Sequence, residues 1–440
     1  MRTDALPIHV HYNAGRVSLS GGARQDAVIT AELMLSSLLE GTSQRSIDLI
    51  AIATGVYAID RVCKRKANSK NECGVRTHSV EFEVVDLKFW TRPRVTEQLI
   101  EILRFLTGDI WFVSFVQRNE PHGGMPQRKL ALNETLPTRL GLFSGGLDSA
   151  AGLANKLVAG EDSYMLLTVG HHASVRRRSK WQVDGLRRIR PGSVLNHAAF
   201  MVHFDGGVAG RLKRQETTQR ARGFLFCAAA AILAAACKIE DIDLFENGIG
   251  ALNLPLTEGS MSDGLSTRGA HPGFLRKMGL FVSEVLDQPI RYNLPFFWHT
   301  KAEMIKSLAE TPRIEEWLHQ SSSCIHTSLR ERGKRHCGHC AACIERRQAF
   351  QRGDMEDNVG TYQVDLLSSG QPKELQYLLT YIDNARRWST GDERLRDRLA
   401  RFQILSDITH LSIESLEQLL IRHAHESLLT YGKFQIRDAA

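Results

Sequence analysis

The chain has 440 residues, 42% apolar and 24% charged, with a formal net charge of +7. That length allows two or three domains with cores of their own, and that composition excludes a disordered or fibrous chain. The longest apolar stretch, Phe224–Cys237, is too short to span a bilayer, and no apolar signal region follows Met1-Arg2-Thr3-Asp4, so a cytoplasmic protein is expected.

Three regions separate along the chain. Residues 1–136 mix short elements into an α+β domain: strands are expected at Ile47–Ala53, His78–Val85 and Asp109–Gln117, and a helix over Val95–Leu106. Asn119 to Pro137, with Pro121, Gly123, Gly124 and Pro126, reads as loop or linker. Residues 138–355 alternate strand and helix. Strands fall at Leu140–Phe143, Met165–Val169, Ala199–Phe204 and Ile242–Phe245, and helices at Leu147–Val158, Trp181–Ile189 and Thr217–Ile239. Such alternation predicts an α/β fold, a doubly wound parallel sheet whose ligands sit beyond the carboxyl ends of the strands. The run Arg176-Arg177-Arg178-Ser179-Lys180 reads as a solvated helix face, the alternative being contact with nucleic acid or a nucleotide phosphate, and no nucleic-acid motif accompanies it. Residues 356–440 form a helical C-terminal region, with helices over Glu374–Trp388, Asp392–Leu405 and Glu414–Ser427 whose apolar stripes call for a neighbouring domain or partner.

The most informative segment is Ser144-Gly145-Gly146-Leu147-Asp148-Ser149, between an expected strand and an expected helix. Glycines there let backbone N–H groups approach an anion, and a helix N-terminus adds partial positive charge. A Walker loop needs Lys and Ser or Thr after its second glycine, where Leu147-Asp148 stand instead. The segment resembles the SGGxDS signature of the PP-loop ATP pyrophosphatases, which cut ATP between the α and β phosphates. An ordinary strand-to-helix turn is the bland alternative.

Of eight cysteines, four gather late in the chain: Cys324, then Cys337, Cys340 and Cys343 in a C-x₂-C-x₂-C knuckle. Four thiolates in this pattern match a tetrahedral structural zinc site, preferred to an iron–sulfur cluster because nothing nearby points to electron transfer. His336 and His339 are spare ligands, and the adjoining Arg346-Arg347 faces either a phosphate or solvent.

A PP-loop followed by this knuckle resembles the 7-cyano-7-deazaguanine synthase (QueC) family over roughly residues 138 to 352, with Lys301-Ala302-Glu303-Met304-Ile305 and Ser322-Ser323-Cys324 at matching places. The resemblance implies a PP-loop, HUP-like fold with a zinc knuckle. It implies ATP-driven activation of the carboxylate of 7-carboxy-7-deazaguanine, addition of ammonia to give an amide, and dehydration to a nitrile. Further segments are similar to the synthase-like QatC component of the bacterial Qat anti-phage system: Ile47–Arg61, Phe105–Asp109 with Trp111, Gln219–Gly223, Glu246–Asn253 and Ser266–Pro272. That resemblance implies a defence role with protein partners of the same operon. The family's usual base-recognition stretch is replaced after Phe245 by Glu246–Asn253, which leaves the acid and the acceptor amine, ammonia or a protein, open.

On this reading Ser144, Gly145, Gly146, Leu147 and Ser149 cradle the ATP pyrophosphate. Asp148 holds Mg²⁺ or orients the acid, the alternative being a plain helix cap. Arg220 and Arg222 clamp a phosphate or carboxylate, or form surface ion pairs; Lys301 contacts a phosphate with the same alternative. Glu246 and Asn247 read a purine-like edge or satisfy loop backbone. Arg268 and His271 fall in a Ser-, Thr- and Gly-rich loop that suggests a substrate lid, His271 alone reading better as a structural turn residue. Two rival functions stay open: a tRNA-modifying PP-loop enzyme, against which the buried character of Cys227 and Cys237 counts, and a nucleotide-sensing subunit without turnover.

Overall fold

The computed structural model describes residues 6–432 apart from 14, 23–26, 33–42, 66, 69–71, 120–136, 162, 171–172, 205–215, 217, 255–266, 326–334 and 370–371. The expected linker Asn119–Pro137 lies almost wholly outside the described residues. At the centre is a ten-stranded mixed sheet. Its strands are β1 (Ile8–Asn13), β2 (Arg16–Gly21), β3 (Ala27–Glu32), β4 (Thr77–Val84), β5 (Ile110–Gln117), β6 (Arg139–Leu142), β7 (Ser163–Gly170), β8 (Val194–Phe204), β9 (Asp241–Leu244) and β10 (Arg291–Asn293). They lie in the order β10-β9-β6-β7-β8-β3-β2-β1-β4-β5, so strands from both sides of residue 137 share one sheet. The strands β10, β9, β6, β7 and β8 run parallel, β3, β2 and β1 join antiparallel, and β4 and β5 continue parallel to β1.

The helices used below are α1 (Gln44–Val62), α2 (Pro93–Thr107), α3 (Leu147–Val158), α4 (Ala173–Ile189), α5 (Arg222–Ala236), α6 (Gly248–Leu252), α7 (Pro272–Leu286), α8 (Lys301–Lys306), α9 (Ile314–His319), α10 (Ala341–Arg352), α11 (Pro372–Trp388), α12 (Glu393–Leu405) and α13 (Ile413–Tyr431). Strand side chains alternate between faces. Accordingly Met165, Leu167 and Val169 of β7 enter one core with α1, α5 and α7, while Tyr164 and Leu166 enter a second with α3, α4 and α9. A strand buried on both faces needs a nearly continuous apolar run, which Met165–Val169 supplies.

Ile47–Ala53 is not a strand but part of α1, whose residues from Asp48 to Asp60 are all buried between the sheet and α5. An apolar run buried all round carries no helical stripe, so its periodicity cannot separate helix from strand. The expected helix Thr217–Ile239 is shorter, with left-handed residues at Gln219 (φ 47°) and Lys238 (φ 56°) just beyond its two ends. The helix expected from Trp181 begins at Ala173 and carries the basic run, where Lys180 pairs with Asp184 at 2.9 Å. The stripes of the last helices are packed: Leu416, Leu419 and Leu420 of α13 meet Trp388, Leu399, Phe297 and Leu252 in a third core. No helix among the described residues is long and apolar enough to cross a membrane.

Candidate active site and metal centre

β6 delivers the Ser144–Ser149 loop to the carboxyl edge of the parallel strands, between β9 and β7. Gly145 takes φ +73°, a left-handed conformation that favours glycine at this turn. Ser144 Oγ accepts the Gly146 N–H at 3.1 Å, and Ser149 Oγ donates to Gly146 O at 3.0 Å while lying 3.2 Å from Ser144 Oγ. Two backbone links tie the loop to the segment before the knuckle: Ser322 N–H donates to Gly145 O at 3.0 Å, and Leu147 N–H donates to Ser323 Oγ at 3.3 Å. Helix α3 starts immediately after Gly146, so the positive end of its dipole sits at this loop.

Asp148, in the first turn of α3, is held from both sides. Lys301 Nζ lies 3.0 Å from its Oδ2, and Asn247 Nδ2 donates to its Oδ1 at 2.7 Å. Asn247 is also the N-cap of α6, its Oδ1 accepting from Ile249 N and Gly250 N at 3.0 and 3.1 Å. The side chain expected to read a base edge is thus spent on loop backbone and on Asp148. Lys301 has a second carboxylate, Glu345 Oε2 at 2.8 Å, and the Tyr381 hydroxyl donates to the other oxygen of Glu345. Burial alone would lower the Lys301 ammonium pKa, but Asp148, Glu345 and Glu246 outweigh it and raise it above the ordinary lysine value. Burial, reinforced by the Asp148 charge, pushes the Glu246 carboxyl up to about 8, so it is protonated at neutral pH.

The four cysteines come together. Their sulfurs all lie within 4.8 Å of one another, with Cys340 and Cys343 Sγ 3.4 Å apart and Cys337 and Cys343 Sγ 3.9 Å apart. A tetrahedron with Zn–S bonds of about 2.3 Å has edges of about 3.8 Å, so the donor set fits one such ion. Gly338 (φ +93°) makes the knuckle turn, where a Cβ would fall 1.9 Å from Val364 O. The choice left open for Arg346-Arg347 is resolved by neither phosphate nor solvent: both are buried. Arg346 donates to Ser321 Oγ at 2.7 Å, and Arg347 pairs with Asp357 at 3.2 Å and with Asp365 at 2.5 Å.

Other expected site residues gather elsewhere. Arg220 donates to Thr107 O at 3.1 Å and Arg268 to Phe105 O at 3.2 Å, where Arg65 also reaches Thr107 O at 2.9 Å. These guanidinium groups satisfy the last carbonyls of α2, at the negative end of its dipole. Arg222 is exposed, over the Phe226 ring at 5.5 Å. His271 is not in a loop lid: it is buried and caps α7, its Nδ1 accepting the Gly273 N–H at 3.1 Å. Burial holds its pKa down to about 3, so it stays neutral. The Ser- and Thr-rich stretch before Ser266 lies mostly outside the described residues. Burial raises both the Cys227 and Cys237 thiols, Cys237 to about 11, which disfavours their thiolate forms.

Glu345 and Tyr381 escaped the sequence reading. Glu303, in the same segment as Lys301, closes a capping box with Thr300 and pairs with Arg422 at 2.8 Å. The pattern Thr300-x-x-Glu303 is the sequence signal for that capping role.

Residues 261–354 match the family model for the queuosine biosynthesis protein QueC. A 7-cyano-7-deazaguanine synthase of Rhizobium rhizogenes is 26% identical over 230 residues, covering 49% of this chain and 87% of the relative. A 7-cyano-7-deazaguanine synthase of Ruegeria sp. is 33% identical over 90 residues, 20% of this chain and 34% of that relative. The mixed α/β sheet and four-cysteine cluster fit a QueC-like fold.

Proposed function

We propose that this chain is an ATP-dependent, AMP-forming synthetase that activates the carboxylate of a deazaguanine-type acid and passes it to an amine. The observation that carries the reading is Asp148, fixed by Lys301 and Asn247 at the mouth of the Ser144–Ser149 loop. In the first step a carboxylate oxygen of the acid attacks the α-phosphorus, and the bond to the β-phosphate's bridging oxygen breaks, releasing pyrophosphate. In the second, an amine nitrogen attacks the acyl carbon, the acyl–oxygen bond breaks, AMP leaves with that oxygen, and the amine gives up a proton.

The residues divide this work. The loop amides, Ser144 and Ser149 bind the leaving pyrophosphate, and the α3 dipole offsets its charge. Lys301 supplies a fixed positive charge beside the reacting phosphate. Asp148 is our candidate contact for Mg²⁺, whose bound charge would neutralise the phosphates. The likeness to two 7-cyano-7-deazaguanine synthases supports the ATP-driven chemistry. A place in anti-phage defence, with operon partners, is proposed on the resemblance of the Qat-like segments alone.

The test is AMP and pyrophosphate release from Mg-ATP with 7-carboxy-7-deazaguanine, with and without ammonium. AMP that requires the acid supports the synthetase. AMP that requires tRNA instead supports the modification enzyme, and nucleotide binding without AMP under any condition supports the sensor.

A further inference from the structure

Behind Glu345 the fold forms a partly open cavity of about 90 Å³, room for several waters. Its floor is α6 and the residues after it, Ile249, Leu252 and Leu254; its outer wall is Tyr381, Trp388 and Leu420 from α11 and α13. Those two helices lie beyond the residues matched by the family model. Polar groups also line it: Asn384, His423 and Ser427, with the Glu345 carboxylate at the end nearest Lys301 and Asp148.

The chemistry of these groups is specific. Ser427 Oγ lies 2.8 Å from Gln348 Oε1 and 2.9 Å from His423 O, and Gln348 Nε2 lies 3.3 Å from both His423 Nδ1 and Glu426 Oε2. Burial keeps the His423 ring neutral, its pKa pushed down to about 4. A cavity with apolar and aromatic walls, a neutral N–H donor, an amide and a hydroxyl suits a flat, uncharged heteroaromatic ring with hydrogen-bonding edges. Glu345 adds an acceptor for ring N–H groups, since each of its oxygens retains a lone pair beyond its bonds to Lys301 and Tyr381.

We propose that this cavity holds the heteroaromatic ring of the acid substrate, stacked against Trp388 and Tyr381, with the carboxylate directed past Glu345 to Lys301 and the Ser144–Ser149 loop. The C-terminal helices are then part of the substrate site rather than a docking appendage. This rests on the synthetase reading above and adds to it where the ring sits.

The experiment uses the full metal-loaded chain with 7-carboxy-7-deazaguanine as the probe. Its affinity is measured calorimetrically for the parent, Trp388→Leu and Asn384→Leu, with bound metal and melting temperature as controls. Loss of one stacking partner should weaken the acid about tenfold or more and leave ATP affinity unchanged. A diazirine-bearing 7-deazaguanine, photolysed on the parent chain, should label peptides within 372–388 or 413–431, which decides the matter if either variant fails to fold. Full affinity in folded variants, or label confined to other peptides, overturns the cavity assignment while acid-dependent AMP release still stands. No binding of the acid to the parent, with or without ATP, overturns both.

Discussion

Lys301 Nζ stands 3.0 Å from Asp148 Oδ2 and 2.8 Å from Glu345 Oε2, so one ammonium joins the first turn of α3 to the knuckle helix α10. Remove it and the Asp148 and Glu345 carboxylates face each other beside Glu246 with no counter-charge. Lys301→Met should cost about 3–5 kcal/mol in denaturant unfolding, the range for breaking a buried pair. Adding Glu345→Gln to that variant should recover part of the loss.

Asp148→Asn keeps the size and the helix start but removes the charge that the proposed chemistry requires. We expect acid-dependent AMP formation to fall by about two orders of magnitude or more, with the melting temperature within a few degrees of the parent. Normal turnover would remove Asp148 from the reaction.

Asn247 serves two masters, α6 and Asp148, and a single change separates them. Asn247→Asp retains an N-cap acceptor for Ile249 and Gly250 but loses the donor to Asp148 and sets a second carboxylate beside it. Stability at neutral pH should drop by more than the roughly 1 kcal/mol of a lost cap, and partly return as acid protonates the pair. Thermal melts at pH 5 and 8 check this.

The Glu246 carboxyl, raised to about 8 by burial and the Asp148 charge, gives a pH signature. Its folded pKa lies above the unfolded value, so the folded state binds the extra proton. Its contribution is fully present below about 4.5 and is lost as pH rises toward 8. The fall in melting temperature between pH 6 and 9 should be shallower in Glu246→Gln than in the parent.

Much of this site is legible in the chain, because its signals are local. The loop Ser144–Ser149, the knuckle and the start of α3 rest on fixed spacings, and α3 falls at Leu147–Val158 as its pattern predicts. What the sequence hides is long-range. Glu345 reaches Lys301 across 44 positions, and Tyr381 reaches Glu345 across 36, and neither pairing leaves a mark in local periodicity. The placement of Arg220 and Arg268 is hidden for the same reason: the carbonyls they serve, Thr107 and Phe105, belong to a helix from the first third of the chain. Residues 47–53 were misread because burial on every side erases the stripe that marks a helix.

Ser322 and Ser323, which hold Gly145 O and Leu147 N–H, immediately precede Cys324. An ion bound by four thiolates has no vacant position for substrate, yet here it would anchor the strap that shapes the anion loop. Chelation should release one metal ion per chain and loosen ATP binding before the sheet melts, seen as a nucleotide affinity that falls while far-UV circular dichroism holds. Readiness for nucleotide would then follow the cell's supply of metal and the reduction of its thiols, although neither takes part in the chemistry.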